Sequence, residues 1–179
     1  MFRSLVIALL FAAPAYADED DPGGELNPAE LTLDSAIAKA ARGEVSMMVC
    51  AMGYPVTKQG DHEEARVILE ACAENGWTAA MTWMAQLEDN GLGDVEDPEA
   101  AATWDRRAAE AGDPIGKFNH GLNLMRGRGV DMDEERGRAL VDEAAAEGVV
   151  AAQRLQAADY DLDEVTPDAD NWKYAPPLM

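Results

Sequence analysis

Apolar side chains recur at three- and four-residue spacing through one segment after another, and each run closes at a glycine. That spacing lays one apolar stripe along an α-helix. Ala65, Ile68, Leu69 and Ala73 form a stripe before Asn75-Gly76; Ala101, Trp104, Ala108 and Ala109 form one before Gly112; Leu140, Ala144 and Ala145 form one before Gly148. Between them the pattern predicts a helix over 78–88 with Met81, Met84, Ala85 and Leu87, and another over 115–125 with Phe118, Gly121, Leu122 and Leu124. Asp61, Asp97 and Asp133 stand where helices start, and an aspartate there can accept from the free backbone N–H groups of the first turn. Pro98 fits the first helical position after Asp97.

The closing glycines are 36 residues apart, and the three aspartates keep the same interval. Eight positions before each glycine stand Ile68, Trp104 and Leu140; eleven before stand Ala65, Ala101 and Gly137; three before stand Ala73, Ala109 and Ala145. Small residues recur where helices must approach closely, and large apolar ones where they fill the gap. A period of this size predicts stacked helical hairpins, each burying what its neighbour leaves bare.

The ends of the array are less regular. Asn27-Pro28, with Glu30, predicts a helix start, and this helix runs through Leu31, Leu33, Ala36, Ile37 and Ala40 to Gly43. A short helix follows over 44–54, with Met48, Val49 and Met52, and Pro55 is expected to end it. Residues 150–160 supply the first helix of a fourth unit.

These columns resemble the Sel1-like repeats, relatives of the tetratricopeptide repeats. The residues that carry the resemblance in the third unit are Gly121, Leu124, Gly127, Gly129, Val130, Asp133, Leu140, Ala144, Ala145 and Gly148. In the second they are Ala85, Gly91, Gly93, Asp97, Ala101, Trp104, Ala108, Ala109 and Gly112. The first unit keeps Gly53-Tyr54 but replaces the glycine turn with Pro55 to Gly60, and Ala157 and Tyr160 fit the start of a fourth. The resemblance covers roughly 27–160. It implies an all-α, right-handed α/α solenoid of about three helix–turn–helix repeats with half-repeat caps and a concave face. It further implies adaptor or scaffold work, in bacteria often in the envelope. The matched residues are structural, so no functional site is carried over from them.

Residues 1–17 have the form of an export leader: Arg3, an apolar run from Leu5 to Ala13, then Ala15-Tyr16-Ala17 as a cleavage site. The run is too short to span a bilayer, and no cysteine near the cleavage point indicates a lipid anchor. A periplasmic location is expected, with secretion as the second choice. Residues 18–26 are an acidic, turn-rich arm. The formal charge of −21 becomes about −22 once Arg3 is lost, a surface that repels nucleic acid and anionic lipid and suits basic partners or simple solubility.

Export changes the meaning of Cys50 and Cys72, because oxidising compartments turn thiol pairs into disulfides. Their separation of 22 residues is compatible with a bridge. On antiparallel helices joined near residue 58, however, Cys72 would lie farther from the turn than Cys50. Both outcomes stay open.

No catalytic set is found. Ser4, Ser35 and Ser46 lack a nucleophile-elbow context. His62 and His120 lie in different units and are expected at the surface or in turns. No metal or cofactor site is expected: the cysteines and histidines lack ligand spacing, the glycine turns lack the lysine of a phosphate loop, and Asp131 to Glu135 lack the ligand order of a calcium loop. Most methionines are expected in the core.

Trp77 and Trp83 have no column duty, so one of them can face the groove. The tail, 161–179, is acidic and then aromatic: Trp172, Lys173, Tyr174, Pro176 and Pro177 form either a docking peptide or a cap on the last repeat. The expectation is a non-enzymatic scaffold with protein partners, such as an accessory subunit on the periplasmic face of an inner-membrane complex. A protein that binds or modifies peptidoglycan or another glycan, through Trp77 or Trp83, is the alternative.

Overall fold

A computed structural model of the chain describes residues 32–165. The leader (1–17), the acidic arm (18–26) and the tail residues Trp172, Lys173, Tyr174, Pro176 and Pro177 lie outside the described residues. Within them run α1 (Leu33–Ala41), α2 (Met47–Gln59), α3 (His62–Glu74), α4 (Thr78–Asp89), α5 (Pro98–Glu110), α6 (Pro114–Arg126), α7 (Glu134–Ala146) and α8 (Val150–Ala157), then a 3-10 turn, Leu162–Glu164. No strand occurs among the described residues.

Consecutive helices pack as hairpins, and α2 touches α4 as α4 touches α6. The helices α3, α5 and α7 do not approach one another in that way, so they form the outer layer of a curved array. The recess between α5 and α7 is floored by His120 and Leu124 of α6. The opposite side of α6, with Ile115, Asn119 and Arg126, therefore faces the inside of the curve.

The helix starts follow local chemistry. Asp97 and Asp133 accept from the N–H groups of Ala100 and Arg136, at 2.9 and 3.1 Å. Asp61 holds the same position before α3 without a side-chain capping bond. The helix α1 begins at Leu33 with Thr32 as its cap, whose Oγ1 accepts from Ser35 N–H; the expected start at Asn27 lies outside the described residues.

The expected end of α2 at Pro55 is overturned. The helix starts later, behind Ser46, and runs through Pro55 to Gln59. A proline inside a helix removes one hydrogen bond and costs about 3 kcal/mol. Here the carbonyl that loses its partner belongs to exposed Ala51, while Val56 and Thr57 beyond the proline are buried. The Thr57 hydroxyl donates to the Gly53 carbonyl at 2.9 Å. The turn thus falls at Gly60-Asp61, ten residues after Cys50 and eleven before Cys72. The two cysteines sit level, with Cα atoms 5.8 Å apart, and their sulfurs are bonded.

Tight approaches explain the repeat glycines. A Cβ on Gly121 would lie 2.8 Å from the Gly137 carbonyl oxygen, and one on Gly137 2.5 Å from Met125 Cγ. Gly129, at φ +68°, lies on the start of the preceding outer helix, where a Cβ would come within 1.9 Å of the Pro98 oxygen. Gly93 lies on His62 in the same way.

Inward positions are right in most columns. Ile68, Leu69, Ala73 and Ala108 are fully buried, as is Trp104 nearly so. Leu140 and Ala109 are only half-buried; Val141, next to Leu140, is fully buried, and in α5 Ala102 is buried together with Ala101 and Ala108. Met81, Met84 and Met125 are core, whereas Met47, Met48 and Met132 are exposed.

Candidate functional site

On the inner face of the array, Tyr54 of α2 and Trp83 of α4 place their ring centres 5.0 Å apart at 57°. Lys58 Nζ stands 5.9 and 5.8 Å from the two rings. Trp77 is not part of this pair; it precedes the first residue of α4, makes no side-chain capping bond and is partly exposed. One repeat beyond Trp83 the row continues as Asn119, and then Arg126.

Beneath Asn119 lies a group that the apolar pattern had hidden. Asp105 of α5 is buried, accepting from Asn119 Nδ2 at 3.1 Å and from Asn123 Nδ2 at 2.9 Å. Burial pushes its carboxyl up to about 7, opposed by the two amide donors and assisted by the nearby charge of Asp89. The signal for it was present: seven positions before the closing glycines stand Leu69, Asp105 and Val141. An acid in the middle of an apolar column is the anomaly to look for. This polar layer separates two apolar clusters, one built from α1 to α4 with Trp104 and Ala108, the other from α6 to α8.

Charged side chains link the units around it. Arg128 Nε meets Asp89 at 2.6 Å and its Nη2 meets Glu96 at 2.9 Å. Arg66 Nη2 meets Glu88 at 2.6 Å, with both side chains largely buried.

His120 is buried rather than superficial, because the α5–α7 recess of about 620 Å³ is floored, not flanked, by α6. Its Nδ1 has no hydrogen-bond partner. Burial, then Arg136 and Arg106, hold its pKa below the usual histidine value. His62 is half-buried, with its Nδ1 also unpartnered. Among the described residues, no group of three or more His, Cys, Asp or Glu is placed to hold a metal ion. Asp133, from the acidic run, serves as a helix cap. No helix among the described residues is long and apolar enough to cross a membrane.

The tail begins as a cap. Asp159 and Tyr160, at φ 52° and 60°, turn the chain back after α8. Tyr160, Leu162 and Val165 then pack against the last apolar cluster. The Tyr160 hydroxyl donates to Asp142, Arg138 lies 4.7 Å over its ring, and Arg126 Nη2 donates to the Val165 carbonyl.

Stacked hairpins, an inner layer of helices and a polar inner row define the class as an α/α solenoid. No protein-family model and no curated protein sequence matches the chain. Solved structures do. A Sel1 repeat protein from Oxalobacter formigenes is 27% identical, with a TM-score of 0.58 over 70% of this chain and 97% of that one. Helicobacter pylori cysteine rich protein B shares the fold at 17% identity and TM-score 0.56, over 74% of this chain and 98% of its own. So does c5321, a protective antigen present in uropathogenic Escherichia coli strains, at 19% identity and TM-score 0.50; the match covers 70% of this chain and 33% of that one. The repeats are thus Sel1-like, and proteins of that kind generally mediate protein–protein interaction and are typically non-catalytic.

Proposed function

We propose that the chain is an exported, non-enzymatic scaffold of the periplasm, an accessory subunit of a larger inner-membrane or envelope complex. The observation that carries this reading is the inner row Tyr54–Trp83–Asn119–Arg126, a stacking pair followed by polar side chains on a rigid array. Such a row suits an extended protein segment: rings take its apolar side chains, and amides take its backbone. The Cys50–Cys72 disulfide supports an oxidising compartment, and residues 1–17 supply the route to it. The net charge of −21 favours a basic partner segment.

Affinity purification of the tagged protein from solubilised membranes at moderate salt tests this. Co-purification of a membrane complex that is lost with Tyr54→Ala supports it. Recovery only as a free soluble monomer counts against it. The Tyr54–Trp83 pair also favours a second reading, since sugars stack on aromatic rings; binding of peptidoglycan fragments in calorimetry, with no protein captured, would select that one.

A further inference from the structure

The recess between α5 and α7 changes its chemistry from one unit to the next. Arg106, His120, Met132 and Arg136 line it. Thirty-six residues before them stand Glu70, Met84, Glu96 and Ala100. Met84 is buried there as His120 is here. The array therefore stacks without an imidazole or two guanidinium groups at these places, and their presence in the third unit calls for another reason.

The chemistry of these groups is largely unmet. His120 is 3% exposed, and its Nδ1 has no hydrogen-bond partner; a buried polar atom of that kind is the exception in folded proteins. Arg136 makes no ion pair among the described residues, although the chain carries 35 acidic residues. Arg106 meets only exposed Glu110, at 3.2 Å. Burial, then both guanidinium groups, hold the imidazole neutral. The acids of the lining are engaged elsewhere: Glu134 pairs with Arg138 at 2.6 Å, and Asp133 accepts from the Arg136 backbone N–H as the cap of α7. Beside them Met132 is exposed and Val130 half-buried, an apolar margin next to a polar floor.

We propose that this recess binds a single carboxylate carried on a short apolar group, with Arg106 and Arg136 holding the two oxygens, the Nε2–H of His120 donating from the floor, and Met132 and Val130 covering the apolar part. Guanidinium groups match the planar, two-oxygen carboxylate. An enclosed nitrogen costs less as a bare lone pair than as an unmatched N–H, so Nδ1 keeps the lone pair and Nε2 the proton. A doubly charged phosphate would meet exposed Asp131 and a chain of net charge −21, which disfavour it more than a monoanion. Small-ligand sites combine an apolar lining with a few convergent polar groups in this way. The recess lies on the side of α6 away from the inner row, so this inference is independent of the protein partner proposed above.

The protein has two histidines, so NMR follows the ring C–H signals of His120 with His62 as internal control. Hexanoate is titrated at constant ionic strength beside hexanamide, inorganic phosphate and acetyl-alanyl-leucine with a free carboxylate. The expected result is a saturable shift of the His120 signals with hexanoate and none of those of His62. Hexanamide should leave both in place, and phosphate should bind at least tenfold more weakly. The acetylated dipeptide separates two sources of the same chemistry: tighter binding than hexanoate assigns the recess to the end of a protein chain, weaker binding to a free organic acid. Arg136→Ala installs, at an exposed position, what the preceding unit has there. It should weaken hexanoate at least fivefold with an unchanged circular dichroism spectrum, and Arg136→Lys should recover part of that loss. No saturable shift with hexanoate or dipeptide, equal binding of hexanamide or phosphate, or an Arg136→Ala chain that binds as well as wild type overturns the proposal.

Discussion

The junction of α3 with α4 and that of α5 with α6 are built from the same repeat positions, with polarity reversed. At the first, Leu69 and Leu87 are buried in the middle, and the ion pair Arg66–Glu88 closes the flank. One repeat later the middle is Asp105 with Asn119 and Asn123, and the flank holds buried Ala102 and Leu124. Each junction therefore carries one polar and one apolar element, but not in the same place. Stacking favours partners for buried charged and amide groups; it does not prescribe where. The apolar middle makes the N-terminal half one continuous core, while the polar middle divides the array and turns amides toward its inner side.

The largest expected effect of a single substitution comes from breaking the first flank. Glu88→Ala leaves Arg66 buried without its carboxylate and should cost about 3–4 kcal/mol in urea denaturation. Copying the second flank, with Arg66→Ala and Glu88→Leu together, should recover most of that. If the double variant is no better than the single one, the two flanks are not interchangeable.

Reduction of Cys50–Cys72 comes next. The bridge closes a 22-residue loop that anchors α3, and its loss should cost about 3 kcal/mol, read as a fall in Tm with reductant. A Cys50→Ala/Cys72→Ala chain should melt at the reduced value.

The stacking turns should separate the junctions by a smaller margin. Gly93→Ala and Gly129→Ala both place a side chain at positive φ, which costs about 1–2 kcal/mol. Only Gly129 would also drive its Cβ to 1.9 Å from a backbone oxygen, against 2.9 Å to the His62 carbonyl carbon for Gly93. Overpacking should add about 1 kcal/mol or more at Gly129, measured on the same denaturation curves.

A change of pH probes the middle of the second junction without any substitution. Asp105 titrates near 7 in the folded chain and near the ordinary aspartate value when unfolded, so the folded state holds its proton more tightly. Its contribution is thus most favourable below about pH 4 and is lost as pH rises toward 7, by about 1.4 kcal/mol per unit within that window. Glu74 and Asp142, lowered chiefly by hydrogen bonds from Arg107 and Tyr160, act with the opposite sign as pH falls below the usual carboxylate range. Comparing wild type with Asp105→Asn between pH 4 and 7 isolates the first slope; identical slopes would remove Asp105 as its source.

Much of the array was legible before any coordinates. Capping aspartates, closing glycines and small residues at close approaches recur because each solves the same local problem in every unit. Pro55 was misjudged for a related reason: its penalty is local, and the burial of Val56 and Thr57 that outweighs it is not. The level placement of Cys50 and Cys72 follows from that one misjudged turn. Asp105 was overlooked in an otherwise apolar column, although the column itself displayed it. The pairing of Trp83 with Tyr54 joins units whose spacing is irregular just there, so no column could reveal it.

Periodicity alone determined that helices stack, where most of them start and stop, and which faces are apolar, because those depend on φ preferences, caps and spacing within a few residues. Tertiary structure alone decided which buried group meets which: the amides on Asp105, the arginine on Glu88, and the returning chain over Leu155. Such choices are made between segments far apart in sequence, where desolvation and partner geometry, rather than local propensity, set the free energy.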